Sequence, residues 1–263
     1  MKEPLLRLTG ITKTFHRGGE QVAAVVDADL HVAPGESVAL VGESGSGKST
    51  LARIALGLTT PDKGSIFLEG RCLSEMKPTV FANARTAMQP IFQDPGQSFN
   101  PRRRVGEALA QALWRAPRLE RRSRSLDLLN RVGLRPAEMF LDRYPHELSG
   151  GQKQRLAVAR AVAMAPRLIV ADEPLSGADV SIRGQMLNLL SELRKDGIAF
   201  LMITHDISVA RAFADRVAVM HRGLIVESGP AALVLDQPEH AYTRRLIESV
   251  PRIDRYFRTA QTI

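Results

Sequence analysis

Short apolar runs separated by stretches of helical periodicity recur along the chain, the pattern of an α/β protein. Ser37-Val38-Ala39-Leu40-Val41 predicts a buried strand and Ser49 to Leu58 the helix that follows it. Met88 to Phe92, Arg167 to Asp172 and Ile198 to Thr204 predict three more buried strands, with Pro90 expected to interrupt the first of these. Upstream, residues 5–11 and 22–32 alternate or cluster Leu6, Leu8, Ile11, Val22, Val25, Val26, Leu30 and Val32, and predict an antiparallel β flank turning at His16-Arg17-Gly18-Gly19. Pro61-Asp62-Lys63-Gly64 and Glu69-Gly70 read as turns on either side of Ser65 to Leu68.

From Pro101 to about Pro145 the period becomes helical, with apolar stripes at Val105, Leu109 and Leu113 and then at Leu126, Leu129 and Val132. Its surface carries Arg102, Arg103, Arg104, Arg115, Arg118, Arg121, Arg122 and Arg124, read as a solvated face that would also suit a membrane-side location. This predicts a helical subdomain, at about 95–147, inserted into the α/β core. Helices are expected over Lys153 to Met164 and Ser181 to Lys195, and a hairpin at Arg216 to Glu227 turning on His221-Arg222-Gly223.

Length and charge refine this picture only slightly. At 263 residues the chain fits one large domain at 1–250 with a short tail at 251–263. A charged fraction of 24% and an apolar fraction of 44% are those of a globular protein. No apolar run reaches the roughly 18–20 residues of a membrane span, and Met1-Lys2-Glu3-Pro4 lacks a signal-peptide core, so a cytosolic location is expected. The single cysteine, Cys72, excludes an intrachain disulfide and a cysteine-held cluster. A net charge of +8 admits an anionic partner without identifying one.

The chemistry concentrates where apolar runs end. Gly42-Glu43-Ser44-Gly45-Ser46-Gly47-Lys48-Ser49-Thr50 matches the P-loop pattern, in which glycines let backbone donors converge on polyphosphate at a helix N-terminus. There Lys48 would reach the β- and γ-phosphates and the Ser49 hydroxyl would ligate Mg²⁺. Gln93, at the end of its strand, is a candidate to ligate Mg²⁺ or orient water. Asp172 and Glu173 close another strand; Asp172 fits a Mg²⁺ ligand, direct or through water, and Glu173 the base that orients attacking water. Ser176-Gly177-Ala178-Asp179 then forms a polar loop, and His205 ends the strand after that, where it would sense the γ-phosphate. Leu148-Ser149-Gly150-Gly151-Gln152 is a second glycine-rich loop before a helix, again an anion site by geometry. Phe15 could stack on an adenine ring.

Taken together these residues resemble the ATP-binding-cassette (ABC) family from about Leu5 to Val250. Gly42 to Thr50 looks like its Walker A loop, Gln93 its Q-loop residue and Leu148 to Gln152 its signature. Leu168 to Asp172 is similar to Walker B, Glu173 to the catalytic glutamate, Asp179 to the D-loop aspartate and His205 to the switch histidine, with Phe15 where the family places its adenine-stacking aromatic. Gln93-Asp94-Pro95, Ser98-Phe99-Asn100-Pro101-Arg102 and His240-Ala241-Tyr242-Thr243-Arg244 resemble segments of oligopeptide, dipeptide and nickel importers. The short C-terminus and absence of a cysteine cluster look like the compact second ATPase subunit of such systems. Ala178 departs from the family's usual leucine, which bears on how the D-loop packs across a dimer.

The resemblance implies an ATPase that uses ATP and Mg²⁺ at the cytoplasmic face of the inner membrane. It implies two transmembrane permease subunits, a second ATPase subunit completing each ATP site head to tail, and a solute-binding protein engaged indirectly. It does not imply a nucleic-acid partner. The competing class, a cassette ATPase acting on nucleic acid or ribosomes, would suit the basic balance but is expected to carry paired cassettes or a long coiled-coil insertion.

Overall fold

The apolar runs become the strands of two sheets in the computed structural model, which describes residues 3–17, 20–177 and 179–249. Gly18 and Gly19 of the expected turn, Ala178, Val250 and the 251–263 tail lie outside the described residues. The flank is antiparallel: β1 (Leu6–Arg17) pairs with β2 (Glu20–Val32) and with β4 (Lys63–Leu68), and β4 with the short β5 (Arg71–Cys72), in the order β2-β1-β4-β5. The second sheet has the order β10-β9-β3-β8-β7-β6. Its β3 (Ser37–Val41), β6 (Met88–Ile91), β7 (Leu168–Asp172), β8 (Ala199–Thr204) and β9 (Arg216–His221) run parallel, and β10 (Leu224–Pro230) closes the predicted hairpin.

Because successive strand side chains point to opposite faces, each central strand feeds two cores. Leu168 and Val170 of β7 and Leu201 and Ile203 of β8 face a core shared with Leu6, Leu8 and Ile11 of the flank. Into it α1 (Lys48–Ala55) inserts Leu51 and Ile54, so this helix lies between the sheets. The intervening Ile169, Ala171, Phe200 and Met202 pack against helices on the other face. Those helices are α3 (Val105–Ala112), α4 (Arg121–Arg131), α5 (Glu138–Leu141), α6 (Gly150–Ala163) and α7 (Val180–Lys195). A fully buried Leu or Ile is worth about 1.5–3 kcal/mol relative to exposure, and this two-sided burial is what makes the strand interiors apolar, with polar residues only at their ends (Ser37, Asp172 and Thr204).

Several expectations are corrected. The helix after the P-loop ends at Ala55 rather than Leu58, where Gly57 turns the chain with φ 63°. The turn at Pro61–Gly64 is shorter, because β4 begins at Lys63, and Asp62 binds β1 through Lys13 Nζ and the Thr14 N–H, each at 2.7 Å. Pro90 does not interrupt its strand: β6 is the sheet edge and pairs with β7 through Pro90 opposite Val170, the position where a missing N–H is tolerated. Not all the arginines are merely solvated, since Arg121 donates to the carbonyls of Ala116 and Trp114. The sequence reading also missed α2 (Pro78–Ala84), α8 (Ile207–Phe213), α9 (Ala231–Asp236) and α10 (Ala241–Glu248).

Parallel pairing has one consequence that matters most. The carboxyl ends of β3, β6, β7 and β8 share one edge, and that edge receives the P-loop, Gln93, Asp172-Glu173 and His205.

Candidate nucleotide-binding site

The P-loop wraps around its own lysine. Lys48 is only 5% exposed, and its Nζ donates to the carbonyls of Gly42 at 2.8 Å and Glu43 at 2.6 Å. Burial lowers its pKa, opposed by the negative charges of Glu173, Asp172 and Glu43. The glycines are dictated by close approach: a Cβ on Gly42 would stand 2.1 Å from the Met220 carbonyl oxygen, and one on Gly47 2.0 Å from that of Ala24. Gly47 adopts φ 107° and caps α1 without any side-chain bond, leaving the first helical N–H groups available to an anion.

Beside this loop the strand ends supply carboxylates. The Ser49 hydroxyl donates to Asp172 Oδ1 at 3.0 Å, linking the P-loop to β7. Burial pushes the Asp172 pKa up, as does neighbouring Glu173, while the Ser49 bond, Arg53 and Lys48 pull it down. A carboxylate short of solvation beside a hydroxyl suits a hard cation, which prefers oxygen ligands. Among the described residues no three His, Cys, Asp or Glu side chains form a metal cluster, so a Mg²⁺ here would draw further ligands from phosphate and water. The cradle, the buried cation and the Ser49–Asp172 pair therefore fit a magnesium nucleotide.

Glu173 is the most constrained member. Its backbone lies in the left-handed region at φ 47°, a conformation that costs a non-glycine residue of order 1 kcal/mol, and its N–H is fixed by the Ile203 carbonyl at 2.9 Å. Gln93 Nε2 donates to Glu173 Oε2 at 3.1 Å, and His205 Nδ1 lies 3.1 Å from Oε1. Gln93 and His205, predicted separately from two strand ends, thus meet on the Glu173 carboxylate from a third. Gln93 contacts Glu173 rather than the Ser49–Asp172 pair. Asp206, which caps α8, holds the turn after His205 by accepting from Arg183 of α7 at 3.2 Å.

The remaining predicted residues lie elsewhere. Phe15 on β1 is 42% exposed, with Lys13 Nζ over its ring, 5.6 Å from the centroid. Ser149 caps α6, accepting from the Gln152 N–H at 3.3 Å while Gln152 Oε1 accepts from the Ser149 N–H at 3.0 Å. The glycine-rich loop is thus the first turn of α6, which begins at Gly150 rather than Lys153. Asp179 caps α7 through the Ile182 N–H at 2.9 Å. Ser149, Gly150, Gly151 and Asp179 line, with Gln93, a cleft of about 540 Å³ to which no P-loop residue contributes. Sequence reasoning assigned no role to Tyr242, whose hydroxyl accepts from the Glu43 N–H at 3.1 Å.

A parallel sheet with a glycine-rich loop after one strand and a carboxylate pair after another is the architecture of P-loop nucleotide-binding proteins. Comparison narrows this class. The family model described as "ABC transporter" matches residues 25–176, and "Oligopeptide/dipeptide transporter, C-terminal region" matches residues 226–263. The chain belongs to the ABC transporter family. It is 44% identical over 260 residues to the glutathione import ATP-binding protein GsiA of Escherichia coli, a match covering 95% of this chain and 41% of that protein. The chain therefore spans about two-fifths of the length of that curated relative. Among solved structures it is similar to the dimeric ATP-binding cassette MJ0796 in a post-hydrolysis state bound to ADP and Pi, with TM-score 0.78, 30% identity, and 86% of this chain and 98% of that one covered. It is likewise similar to cbiO1 from Clostridium perfringens, part of the transporter complex cbiONQ, with TM-score 0.78, 27% identity, and coverage of 97% and 98%.

Proposed function

We propose that this chain is the ATP-binding and ATP-hydrolysing subunit of an importer of peptides or peptide-like solutes. The observation that carries it is the convergence of Gln93 and His205 on Glu173, beside a P-loop whose lysine and Ser49–Asp172 pair are suited to a magnesium nucleotide. Lys48 and the α1 N-terminus bind the phosphates, and Phe15 offers a stacking face for the base. Bound Mg²⁺ would neutralise charge on the phosphate oxygens. Glu173 accepts a hydrogen bond from the attacking water and takes its proton, while Gln93 and His205 fix the carboxylate's direction. His205 would also report loss of the γ-phosphate.

Ser149 to Gln152 and Asp179 act on the ATP of a second ATPase subunit, head to tail. This reading is supported by Ser149, Gly150, Gly151 and Asp179 lining a cleft to which no P-loop residue contributes, and by the dimeric state named for MJ0796. Two permease subunits and a solute-binding protein complete the system, with residues 95–147 as the subdomain that passes the motion on. The chain works peripherally at the cytoplasmic membrane face; among the described residues no helix is long and apolar enough to cross a membrane. The C-terminal match and the named activity of GsiA favour a peptide-like solute over chelated nickel, and a transporter over a nucleic-acid ATPase. The test is to co-purify the complex and screen its binding protein against glutathione, short peptides and chelated nickel, with Mg²⁺-dependent phosphate release measured in parallel. Binding of nickel alone would overturn the solute class, and absence of phosphate release the activity.

A further inference from the structure

The C-terminal segment reaches back about 200 positions to touch the P-loop, and the contact is built from several directions. Glu227 on β10 accepts from the N–H groups of Glu239 at 2.9 Å and His240 at 3.1 Å. His240 Nδ1 then caps α10 by accepting from the Tyr242 N–H at 3.1 Å. Tyr242 is 4% exposed, and its ring stacks on His221, centroid to centroid 3.8 Å, at the end of β9. Thus held, its hydroxyl accepts from the Glu43 N–H.

That N–H belongs to the same peptide unit as the Gly42 carbonyl. The unit is planar and trans, so its N–H and C=O point in opposite directions. On one side the carbonyl accepts from Lys48 Nζ at 2.8 Å, and on the other the N–H donates to Tyr242 at 3.1 Å. Rotation of this unit breaks both bonds. The unit adjoins Gly42 at φ 152°, a residue with wide backbone freedom, so these two bonds restrain it. The floor of the loop comes from the same region of the chain: the Gly223 N–H donates to the Ser46 carbonyl at 2.9 Å, and the Met220 carbonyl excludes any side chain at position 42.

We infer that Tyr242 is a positioning residue for nucleotide binding, its hydroxyl locking the Gly42–Glu43 peptide so that Lys48 is presented to phosphate. The inference rests on the proposed ATP site. The Tyr242 hydroxyl is thereby coupled to the nucleotide, and coupling is reciprocal: bound ATP should steady the Tyr242 bond as that bond steadies the loop.

Tyr242→Phe removes only the hydroxyl. The full chain with this change should bind ATP about two- to ten-fold more weakly, the fold-change of one lost hydrogen bond, with apparent KM rising more than kcat falls. Leu246→Ala, buried on the same helix, should lower the melting temperature further yet leave ATP affinity near that of the parent. Saturating ATP should slow amide exchange across 241–248 in the parent and not in Tyr242→Phe. Unchanged ATP affinity in Tyr242→Phe would overturn the inference, as would an equal loss in Leu246→Ala, which would make helix docking the cause. A parent chain that bound no ATP would refute the nucleotide reading itself, and the inference with it.

Discussion

Glu173→Gln separates binding from chemistry in this site. The amide has the carboxylate's shape, so its Oε1 can keep the bond from Gln93 Nε2 and its NH₂ group can face His205 Nδ1, each at the present 3.1 Å. That geometry requires the histidine tautomer with Nδ1 as acceptor. With both partners retained and the left-handed backbone unchanged, stability should move by less than about 1 kcal/mol. ATP affinity should hold or rise, because one negative charge near the phosphates disappears. Turnover, however, loses its proton acceptor, and a positioned acid–base group is credited with about 10²–10⁴-fold, or roughly 3–5 kcal/mol of barrier. Steady-state phosphate release at saturating ATP, paired with calorimetric binding and a thermal melt, reads all three quantities. Turnover within five-fold of the parent, with binding intact, would remove Glu173 from the role of base. A collapse of the melt would refute the isosteric argument instead.

Three further outcomes follow from the same geometry. Lys48→Ala strips the donor from two inward carbonyls and the cation from the phosphate site, so calorimetry should find no ATP binding; unaltered affinity would contradict the P-loop assignment. Gly47→Ala places a Cβ 2.0 Å from a backbone oxygen at φ 107°, and should cost at least about 2 kcal/mol in denaturant unfolding. Asp172 has a raised pKa, chiefly from burial, so between the unfolded and folded pKa values the native state holds more proton and stability falls as pH rises through that window. Asp172→Asn should therefore raise the melting temperature of the nucleotide-free chain at neutral pH, with the gain shrinking toward acid; a gain that grows toward acid would reverse the sign of the argument.

What each residue could do was legible in the sequence, and which distant residues it meets was not. The P-loop is readable because its glycines, lysine and serine serve one contiguous ring. Strands β3, β7 and β8 are readable because burial on both faces leaves polar residues only at their ends. The shared edge that brings Gln93, Glu173 and His205 together is not written in any one segment; it follows from the parallel strand order. Pro90 misled because the rule against proline in strands is a rule about central strands, and edge position is a property of the whole sheet. Helices α8 to α10 are short, the longest being the eight residues of Ala241–Glu248, and length alone does not explain the miss, since α3 is no longer and shows its stripe at Val105, Leu109 and Leu113. Tyr242 shows where that limit lies. Its segment was recognisable as a family element, yet the reason for a tyrosine there lies at Glu43, in a bond between side chain and backbone. Such a bond leaves no mark at position 43, since every residue but proline offers the same N–H. A backbone partner constrains only one of its two residues, so half of this contact has no sequence signal to find.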